Sequence, residues 1–250
     1  MIKKLMAGEL DVAICVTEGL VAGIGNNKEA NIRLFGTYVK SSLPWAVSVK
    51  SDAKYCTVDD LEFGATFGIS REGSGSQIMA EFAASRYSWK NKPQFKILGD
   101  VTSLVKGVKG GEVDAFLWER TTMNRYYDRG DVRYLGTVKA PWPAFSFGAC
   151  KEYVENNAEL LVKMLDCINR AVGHFLDETN DRIRGEFIQS VLGYSAADYE
   201  QWLGYVKYGN MREVDLHKIG YAAKVLQQAG VMPSCDADDM VLMPAQDAGV

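Results

Sequence analysis

Residues Gly8–Cys15, with the sequence GELDVAIC, decide the fold, because the chain repeats them at Gly111–Trp118 as GEVDAFLW. In both copies the glycine is typical of a helix end. The aspartate that follows, Asp11 or Asp114, precedes an apolar run typical of a strand buried on both faces. The stretch therefore predicts a helix end, a turn and a buried strand, twice in the chain.

The similarity continues in the same order downstream of both copies. The sequence RLFGT at Arg33–Thr37 is matched by RYLGT at Arg133–Thr137, and PWA at Pro44–Ala46 is echoed by PWPA at Pro141–Ala144. Two matching segments in the same order predict two related units, each built of helix, strand, helix and strand. We therefore expect an α/β protein with two lobes and a mostly parallel sheet in each lobe.

The segments outside the repeat also carry clear patterns. Between the two copies, the sequence predicts a short strand at Phe67–Ser70, a loop rich in glycine and serine at Arg71–Ser76, and a helix at Gln77–Trp89. From Lys151 onward the apolar spacing predicts helices, and Ser195 is expected to cap one of them.

These elements divide the chain into two lobes and a tail. Lobe 1 is expected to comprise residues 1–43, as a first part that is truncated at its N-terminus, and to return at 141–232. Lobe 2 is expected at residues 44–140. Residues 233–250 are polar, which predicts a loosely held tail.

Composition excludes several classes of protein. The 250 residues are 47% hydrophobic and 24% charged, as in a folded globular protein, and the net charge of −4 argues against a nucleic-acid partner. No apolar run reaches the roughly 18 residues that a membrane span requires.

The five cysteines form no C-x-x-C pair, which indicates free thiols in a reducing, cytoplasmic compartment. Because His174 and His217 are the only histidines, we expect no histidine-rich metal site, and we assign no cofactor.

Three features together resemble a known family: the strand at Gly8–Cys15, the glycine-serine loop after a strand, and the G-T…P-W crossing segment. They are similar to proteins with the type 2 periplasmic-binding-protein fold, in the branch that binds sulfonates, nitrate and thiamine-pyrimidine precursors. That branch includes cytoplasmic eukaryotic relatives. The resemblance covers about residues 1–200 and implies a two-lobed clamp that closes on a small molecule held between the lobes.

The chain departs from that family pattern at its start. Family members begin with a strand, a helix and a second strand before the G-E-L-D unit, whereas here only Ile2–Ala7 precede it. We therefore expect that Met1 is an internal methionine of a longer protein or that the chain is truncated. The strand at Asp11–Val16 would then keep an unpaired edge prone to association, which is compatible with a homodimer.

Ligands in open α/β sheets bind beyond the carboxyl ends of strands, at helix N-termini. Thr17 and Glu18 follow the first repeat strand, where a hydroxyl and a carboxylate suit a polar ligand edge; the alternative is helix capping. The loop with Ser70, Gly73, Ser74, Gly75 and Ser76 lets backbone N–H groups approach an anion or a carbonyl oxygen; the alternative is a flexible loop with a serine cap.

Two further segments complete the candidate site. Trp118 can stack on a planar ring and Glu119 can accept hydrogen bonds from an amino-pyrimidine; the alternative is a core tryptophan beside a surface Glu119–Arg120 pair. Ser41 and Trp45 in the first crossing, and Trp142 in the second, would line the floor of the cleft; structural packing of the tryptophans is the alternative.

Carboxylates and aromatic rings together favour a planar, nitrogen-bearing ligand, such as a thiamine-pyrimidine precursor, and the serine loop suits an anionic group, such as a sulfonate. The sequence therefore predicts non-catalytic binding of a small polar solute.

One alternative function is that of a thiamine-pyrimidine synthase, whose relatives carry a cysteine cluster and a reactive histidine and lysine in the N-terminal part. This chain has no cysteine cluster and no histidine before His174. The other alternative is a scaffold that binds no solute.

Overall fold

The chain divides into two compact units, Met1–Ser42 together with the chain from Pro141 onward, and Leu43–Ala140. The computed structural model describes residues 1–244. The polypeptide passes from the first unit into the second near Ser42 and returns near Pro141. Within the described residues, no helix is both long enough and apolar enough to cross a membrane.

The helices and strands follow one another in three stretches of chain. The first stretch contains α1 (Ile2–Met6), β1 (Val12–Val16), α2 (Thr17–Asn26), a 3-10 helix (Lys28–Ala30) and β2 (Ile32–Val39). The second unit contains β3 (Pro44–Val49), a 3-10 helix (Val58–Phe63), β4 (Thr66–Ile69), α3 (Gly75–Arg86), β5 (Gln94–Ile97), α4 (Val101–Lys109), β6 (Ala115–Glu119), α5 (Arg120–Asp128) and β7 (Arg133–Lys139). The return to the first unit adds β8 (Phe145–Cys150), α6 (Lys151–Asn156), α7 (Ala158–Leu176), a 3-10 helix (Glu178–Asn180), α8 (Asp181–Leu192), α9 (Ala196–Tyr205) and α10 (Leu216–Gln228).

The sheet of the first unit has three strands in the order β1-β8-β2. Strand β8 lies antiparallel to both neighbours, with Phe145 opposite Val16 on one side and opposite Val39 on the other. Strands β1 and β2 therefore run in the same direction, and α2 connects them. The strand between them comes from the far end of the sequence.

The sheet of the second unit has five strands in the order β5-β4-β6-β3-β7. Strand β4 is parallel to β5 and β6, whereas β3 lies antiparallel to both β6 and β7. Here too a strand-helix-strand unit, β6-α5-β7, receives an antiparallel strand in its middle. The structure thus contains the internal repeat as two strand-helix-strand units.

The expectation of mostly parallel sheets is wrong, because both sheets are mixed. Among the named strands of residues 1–244, those of the first sheet pair antiparallel, and those of the second form both parallel and antiparallel pairs. The reason is the path of the chain. After β2 the chain leaves the first unit and supplies β3 to the second, and after β7 it returns and supplies β8 to the first. Each incoming strand runs opposite to the two strands that it separates.

The local predictions about helices are confirmed in two places. The helix expected at Gln77–Trp89 is α3, which begins two residues earlier and ends three residues earlier than expected. The Ser195 hydroxyl accepts a hydrogen bond from the backbone N–H of Asp198, and the Asp198 carboxylate accepts one from the backbone N–H of Ser195. This reciprocal pair is a capping box at the start of α9.

One part of the tail expected to be loose at 233–250 is bonded to β2. Leu34 in β2 donates a backbone hydrogen bond to Met240 at 2.8 Å and accepts one from Leu242 at 2.9 Å. Val241 pairs with Leu34 in parallel orientation, and Met240 is completely buried. Three consecutive apolar residues, Met240–Leu242, hold this segment, although the surrounding residues are polar. Residues 245–250 lie outside the described residues.

Candidate functional site

In the first unit, four predicted site residues gather at one edge of the sheet. Thr17 and Glu18 follow β1, Ser41 follows β2, and Trp142 precedes β8. Since β8 runs antiparallel to β1 and β2, its beginning lies at the edge where those two strands end. This edge therefore joins residues from both ends of the chain.

Glu18 is the most unusual residue of this group, because it is an acidic residue that is only 1% exposed. Its Oε2 accepts a hydrogen bond of 2.9 Å from the indole Nε1–H of Trp142, whereas its Oε1 is buried without a hydrogen-bond partner among the described residues. Burial raises the pKa of Glu18 from 4.5 to about 7, although hydrogen bonds from its own backbone N–H and from Trp142 act in the opposite direction. The carboxyl group can therefore hold a proton near neutral pH and act either as donor or as acceptor.

Thr17 does not cap the helix that it begins. Its hydroxyl shares a hydrogen bond of 2.8 Å with the hydroxyl of Ser146, and both side chains are fully buried. The Thr17 backbone N–H donates to Ala144 at 3.0 Å, and the Ala144 N–H donates to Ser41 at the same distance. These bonds tie the end of β1, the second crossing and the end of β2 together.

Ser41 has a structural partner of its own, because its hydroxyl accepts a hydrogen bond of 3.0 Å from the backbone N–H of Lys207. Ser146 was not predicted as a site residue. The sequence shows Ser146 as a polar residue within the apolar run of β8, and this was the one feature that could have singled it out. A buried serine of this kind needs a hydrogen-bond partner, which here is Thr17.

In the second unit, the other predicted site residues also meet at one edge. Strands β4 and β6 are parallel, so the loop after β4 and the residues after β6 lie at the same edge. Strand β3 runs in the opposite direction, which places its first residues there too. The members of this group are Trp45, Ser70, Gly73, Ser74, Gly75, Ser76, Trp118 and Glu119.

The loop after β4 presents two buried hydroxyl groups at the start of α3. Ser74 and Ser76 are each 2% exposed, and their hydroxyls lie 3.0 Å apart within hydrogen-bond distance. Ser74 is the N-cap residue, yet its side chain makes no cap hydrogen bond to a backbone N–H of the first turn. The beginning of α3 therefore keeps N–H donors that this side chain does not satisfy.

Gln77 holds this loop and was not singled out from the sequence. Its Oε1 accepts a hydrogen bond of 2.8 Å from the backbone N–H of Gly73, and its Nε2 donates to Glu81 at 3.1 Å. Gly73 has a φ of +66°, a conformation that favours glycine. A glutamine four residues after a loop glycine was the available signal for this contact.

Glu119 is occupied by the helix that follows it. Its two carboxylate oxygens accept hydrogen bonds from the backbone N–H groups of Thr121 and Thr122 at 2.8 and 2.6 Å, so Glu119 caps α5. Trp118 is half-buried and packs against a core cluster that includes Phe116 and Val105. For these two residues the structure shows the roles of helix cap and core packing, and ligand contact stays a prediction.

Arg120, which the alternative interpretation placed in a surface pair with Glu119, contacts two tyrosine rings. The Arg120 guanidinium lies over the rings of Tyr127 and Tyr134, 5.3 and 4.6 Å from their centroids, and donates to the side chain of Asn124. The two tyrosines are in the last part of α5 and in β7, so no local pattern could have identified them.

Trp45 and Trp142 are not equivalent, although their sequence segments resemble each other. Trp45 lies within β3 and is paired with Glu119 of β6. The corresponding position of β8, paired with the last residue of β1, is Phe145, and Trp142 precedes that strand. Trp45 is 7% exposed and its indole Nε1 has no hydrogen-bond partner among the described residues.

The described part of the chain contains no group of three or more His, Cys, Asp or Glu side chains that could hold a metal ion. Both histidines, His174 and His217, are exposed. The cysteines are free thiols, with Cys15 buried and Cys56 and Cys167 exposed.

Comparison with known proteins supplies the fold family. A family model described as Ca3427-like PBP matches residues 45–138. The Candida albicans CA3427 gene product, which defines a family exhibiting the generic periplasmic binding protein fold, is 27% identical over 99% of this chain and 84% of its own, with a TM-score of 0.87. The chain has a periplasmic-binding-protein-like fold.

Two bacterial proteins share this periplasmic-binding-protein-like fold. The aliphatic sulphonate-binding protein SsuA of Escherichia coli is 17% identical, with a TM-score of 0.75, over 99% of this chain and 80% of its own. The alkanesulfonate-binding protein SsuA of Xanthomonas axonopodis, bound to MOPS, is 15% identical, with a TM-score of 0.79, over 97% of this chain and 83% of its own. At these identities the likeness shows the fold alone. No curated protein matches the chain.

Proposed function

We propose that this chain binds a small polar solute without catalysis, and that the solute carries a sulfonate-like anionic group. The pair of buried hydroxyls at Ser74 and Ser76 carries the proposal. The two hydroxyls bond to each other, and Ser74 makes no side-chain cap bond to the backbone of the helix. Both residues lie at the N-terminus of α3, a 12-residue helix. An anion can accept hydrogen bonds from both hydroxyls and from the first N–H groups of the helix.

Trp45 supports the same ligand chemistry. Its buried indole N–H has no hydrogen-bond partner among residues 1–244, and a buried polar group of this kind calls for a specific explanation. It lies at the same edge of the same sheet as the serine loop. The serine hydroxyls, the first backbone N–H groups of α3 and the indole N–H of Trp45 can all donate hydrogen bonds, which suits an oxyanion better than a cation. Two structural relatives bind sulfonates, which agrees with this ligand class.

A second candidate ligand is a thiamine-pyrimidine precursor, and Glu18 is the observation that favours it. Its buried carboxyl group has one oxygen without a hydrogen-bond partner in the described part of the chain, and such a group can exchange hydrogen bonds with a ring nitrogen or an amino group. Glu119, the other carboxylate considered for this purpose, already accepts two backbone hydrogen bonds as a helix cap.

Calorimetric titration with ethanesulfonate and with 4-amino-5-hydroxymethyl-2-methylpyrimidine separates the two candidates. Ser76→Ala should weaken ethanesulfonate binding by about tenfold or more, because a hydrogen bond to a charged group contributes about 1.5–3 kcal/mol. The matched control is Ser85→Ala, an exposed serine in the last part of the same helix. Glu18→Gln should leave sulfonate binding unchanged and weaken pyrimidine binding.

The sulfonate proposal fails if ethanesulfonate does not bind or if the Ser76 and Ser85 variants bind it equally well. The pyrimidine alternative is then supported if the pyrimidine binds and Glu18→Gln weakens that binding, and it is contradicted if Glu18→Gln binds the pyrimidine as well as the unmodified protein does. Mass spectrometry of the solute after prolonged incubation tests the absence of catalysis, and a solute recovered unchanged is the expected result.

A further inference from the structure

The first turn of α3 carries a sequence pattern that its side chains do not follow. Ser74–Gln77 has the sequence SGSQ, which fits the S-x-x-Q form of a capping box. In a capping box the Ser74 hydroxyl would accept a hydrogen bond from the backbone N–H of Gln77, and the Gln77 side chain would accept one from the backbone N–H of Ser74. Here the Ser74 hydroxyl lies 3.0 Å from that of Ser76. Gln77 accepts its bond from the backbone N–H of Gly73 at 2.8 Å, so it holds the loop one residue earlier than a capping box would.

The side chain of Gln77 has two different ends, and its contacts fix which end meets the loop. Its Oε1 accepts the bond from Gly73, whereas its Nε2 donates to Oε1 of Glu81 at 3.1 Å. An ionised carboxylate can only accept hydrogen bonds, so Glu81 binds the amide nitrogen and not the amide oxygen. A reversed amide would turn its N–H groups toward the N–H of Gly73, and neither group could accept a bond. Glu81 thus selects the orientation in which Gln77 holds the loop.

The surroundings of Glu81 indicate a specific role for this bond. Its Oε2 is buried and has no hydrogen-bond partner among residues 1–244. Burial raises the pKa of Glu81, while the bond from Gln77 and the charge of Lys92 act in the opposite direction. Burying part of a carboxyl group costs free energy that an exposed carboxyl group does not cost, so its position calls for an explanation. The bond to Gln77 supplies that explanation.

We propose that Glu81 is a positioning residue for the solute site of the second unit and acts through Gln77 on the serine loop. This inference rests on the proposed function. Glu81 orients Gln77, and Gln77 holds Gly73 at its φ of +66°, just before the chain enters α3. By itself, a carboxylate on this helix would disfavour an anion at the N-terminus of α3, because like charges repel. A loss of anion affinity on removal of Glu81 therefore reports positioning and not charge.

Calorimetric titration of the full chain with ethanesulfonate tests the role in binding. Glu81→Ala should weaken binding by about three- to tenfold, the effect of about one hydrogen bond, whereas Glu81→Gln keeps an acceptor oxygen and should stay within about twofold of the unmodified protein. Gln77→Ala should weaken binding to the same extent, and adding Glu81→Ala to it should have no further effect, because both residues act through one contact. Glu112→Ala removes an exposed carboxylate of the same unit and is the control, which should leave affinity unchanged.

Solvent exchange of the Gly73 amide, measured by NMR without solute, tests the contacts from Glu81 to the loop independently of the proposed function. Exchange should be about threefold or more faster in Gln77→Ala and in Glu81→Ala than in the unmodified protein, and unchanged in Glu112→Ala. Glu81→Met, which keeps the length of the side chain without its carboxyl oxygens, takes the place of Glu81→Ala if that variant does not fold.

Three results overturn the proposal. They are unchanged Gly73 exchange in the folded Glu81 variant, additive losses of affinity in the double variant, and a Glu81→Gln variant that binds as weakly as Glu81→Ala. If ethanesulfonate does not bind, the proposed function fails, and the exchange of the Gly73 amide alone decides whether Glu81 holds the loop.

Discussion

Glu18 and Trp142 are joined by a buried hydrogen bond of 2.9 Å between residues 124 positions apart in the sequence. Each side chain belongs to a residue that is 1% exposed. Glu18 lies in the first turn of α2, and Trp142 lies where the chain re-enters the first unit. The bond therefore connects the returning segment to the helix that follows β1. The second oxygen of this carboxyl group has no hydrogen-bond partner within residues 1–244.

This carboxyl group should make stability depend on pH. The pKa of Glu18 is raised from 4.5 to about 7 in the folded chain, so between these values the folded state keeps a proton that the unfolded state loses. The free energy of unfolding should therefore fall as pH rises from about 4.5 to about 7, by roughly 3 kcal/mol from this residue. Glu18→Gln keeps an oxygen for Trp142 without the ionisation. It should equal the unmodified protein near pH 4 and be more stable at pH 8.

Urea unfolding followed by tryptophan fluorescence at pH 4, 6 and 8 measures this difference. Glu29→Gln, at an exposed position, is the control for loss of a negative charge. If the free energy of unfolding changes with pH in the same way for the unmodified protein and for Glu18→Gln, Glu18 does not hold its proton as we infer.

The two repeat aspartates, Asp114 and Asp11, should differ in their importance for stability. Asp114 accepts hydrogen bonds from the Thr66 backbone N–H at 2.8 Å and from the Tyr55 hydroxyl at 3.1 Å, so it holds the start of β4. Asp11 is exposed. Asp114→Ala should lower the free energy of unfolding by about 1–3 kcal/mol. Asp11→Ala should stay within about 0.5 kcal/mol, as is usual for surface positions.

Chemical denaturation of the two aspartate variants compares one motif position in two settings. Equal losses of stability would show that the contacts of Asp114 contribute nothing beyond what the shared motif provides.

Local features of this chain could be predicted from the sequence, and contacts between distant segments could not. The strand Val12–Val16 and the Ser195 cap depend on neighbouring residues, and both were found. The directions of the strands in each sheet depend on β3 and β8. The chain supplies β3 to the second sheet after it leaves the first unit, and it supplies β8 to the first sheet after it leaves the second unit. Nothing in the residues of β8 encodes the direction of the strands beside it.

The same limit applies to the candidate site. The serine loop was recognised because glycine, serine and a following helix are contiguous in the sequence. The Thr17–Ser146 and Glu18–Trp142 pairs join residues more than a hundred positions apart. The similar segments around Trp45 and Trp142 also suggest that the two tryptophans occupy equivalent positions, which they do not. Equivalent positions in two sheets are set by the pairing register of the strands, and that register makes Phe145 the equivalent of Trp45.

Glu119→Ala separates the two roles considered for this carboxylate. Loss of the cap on α5 should lower the free energy of unfolding by about 1 kcal/mol. If Glu119 also contacts the solute, affinity should fall by about tenfold or more, corresponding to about 1.5–3 kcal/mol for a desolvated carboxylate. Asp100→Ala is the control, because Asp100 caps α4 in the same unit and accepts a hydrogen bond of 2.8 Å from Ser103.

Calorimetric titration and denaturation of both cap variants give the answer. A loss of affinity confined to Glu119→Ala identifies a solute contact. Affinities that are equal in the two variants assign Glu119 to helix capping alone.

The repeat also supplies a pair of glycines, Gly36 in β2 and Gly136 in β7, that should respond differently to the same substitution. A Cβ atom on Gly36 would overlap the backbone carbonyl oxygen of Met211 and lie 3.2 Å from the Phe147 ring. Backbone cannot move away without disturbing the segment it belongs to. A Cβ atom on Gly136 would lie 2.7 Å from Cγ2 of Val58, the end of a side chain in a short 3-10 helix.

Gly36→Ala should therefore cost about 2–3 kcal/mol or more, and Gly136→Ala about 1 kcal/mol or less, because overpacking is relieved more easily at a side-chain end. For a chain of this size, 1 kcal/mol corresponds to roughly 2–4 °C in Tm. Thermal unfolding of the two variants should place the Tm of Gly36→Ala below that of Gly136→Ala. The opposite order would mean that the Met211 segment yields more readily than the Val58 side chain, and that β2 is not held as tightly as its buried neighbours indicate.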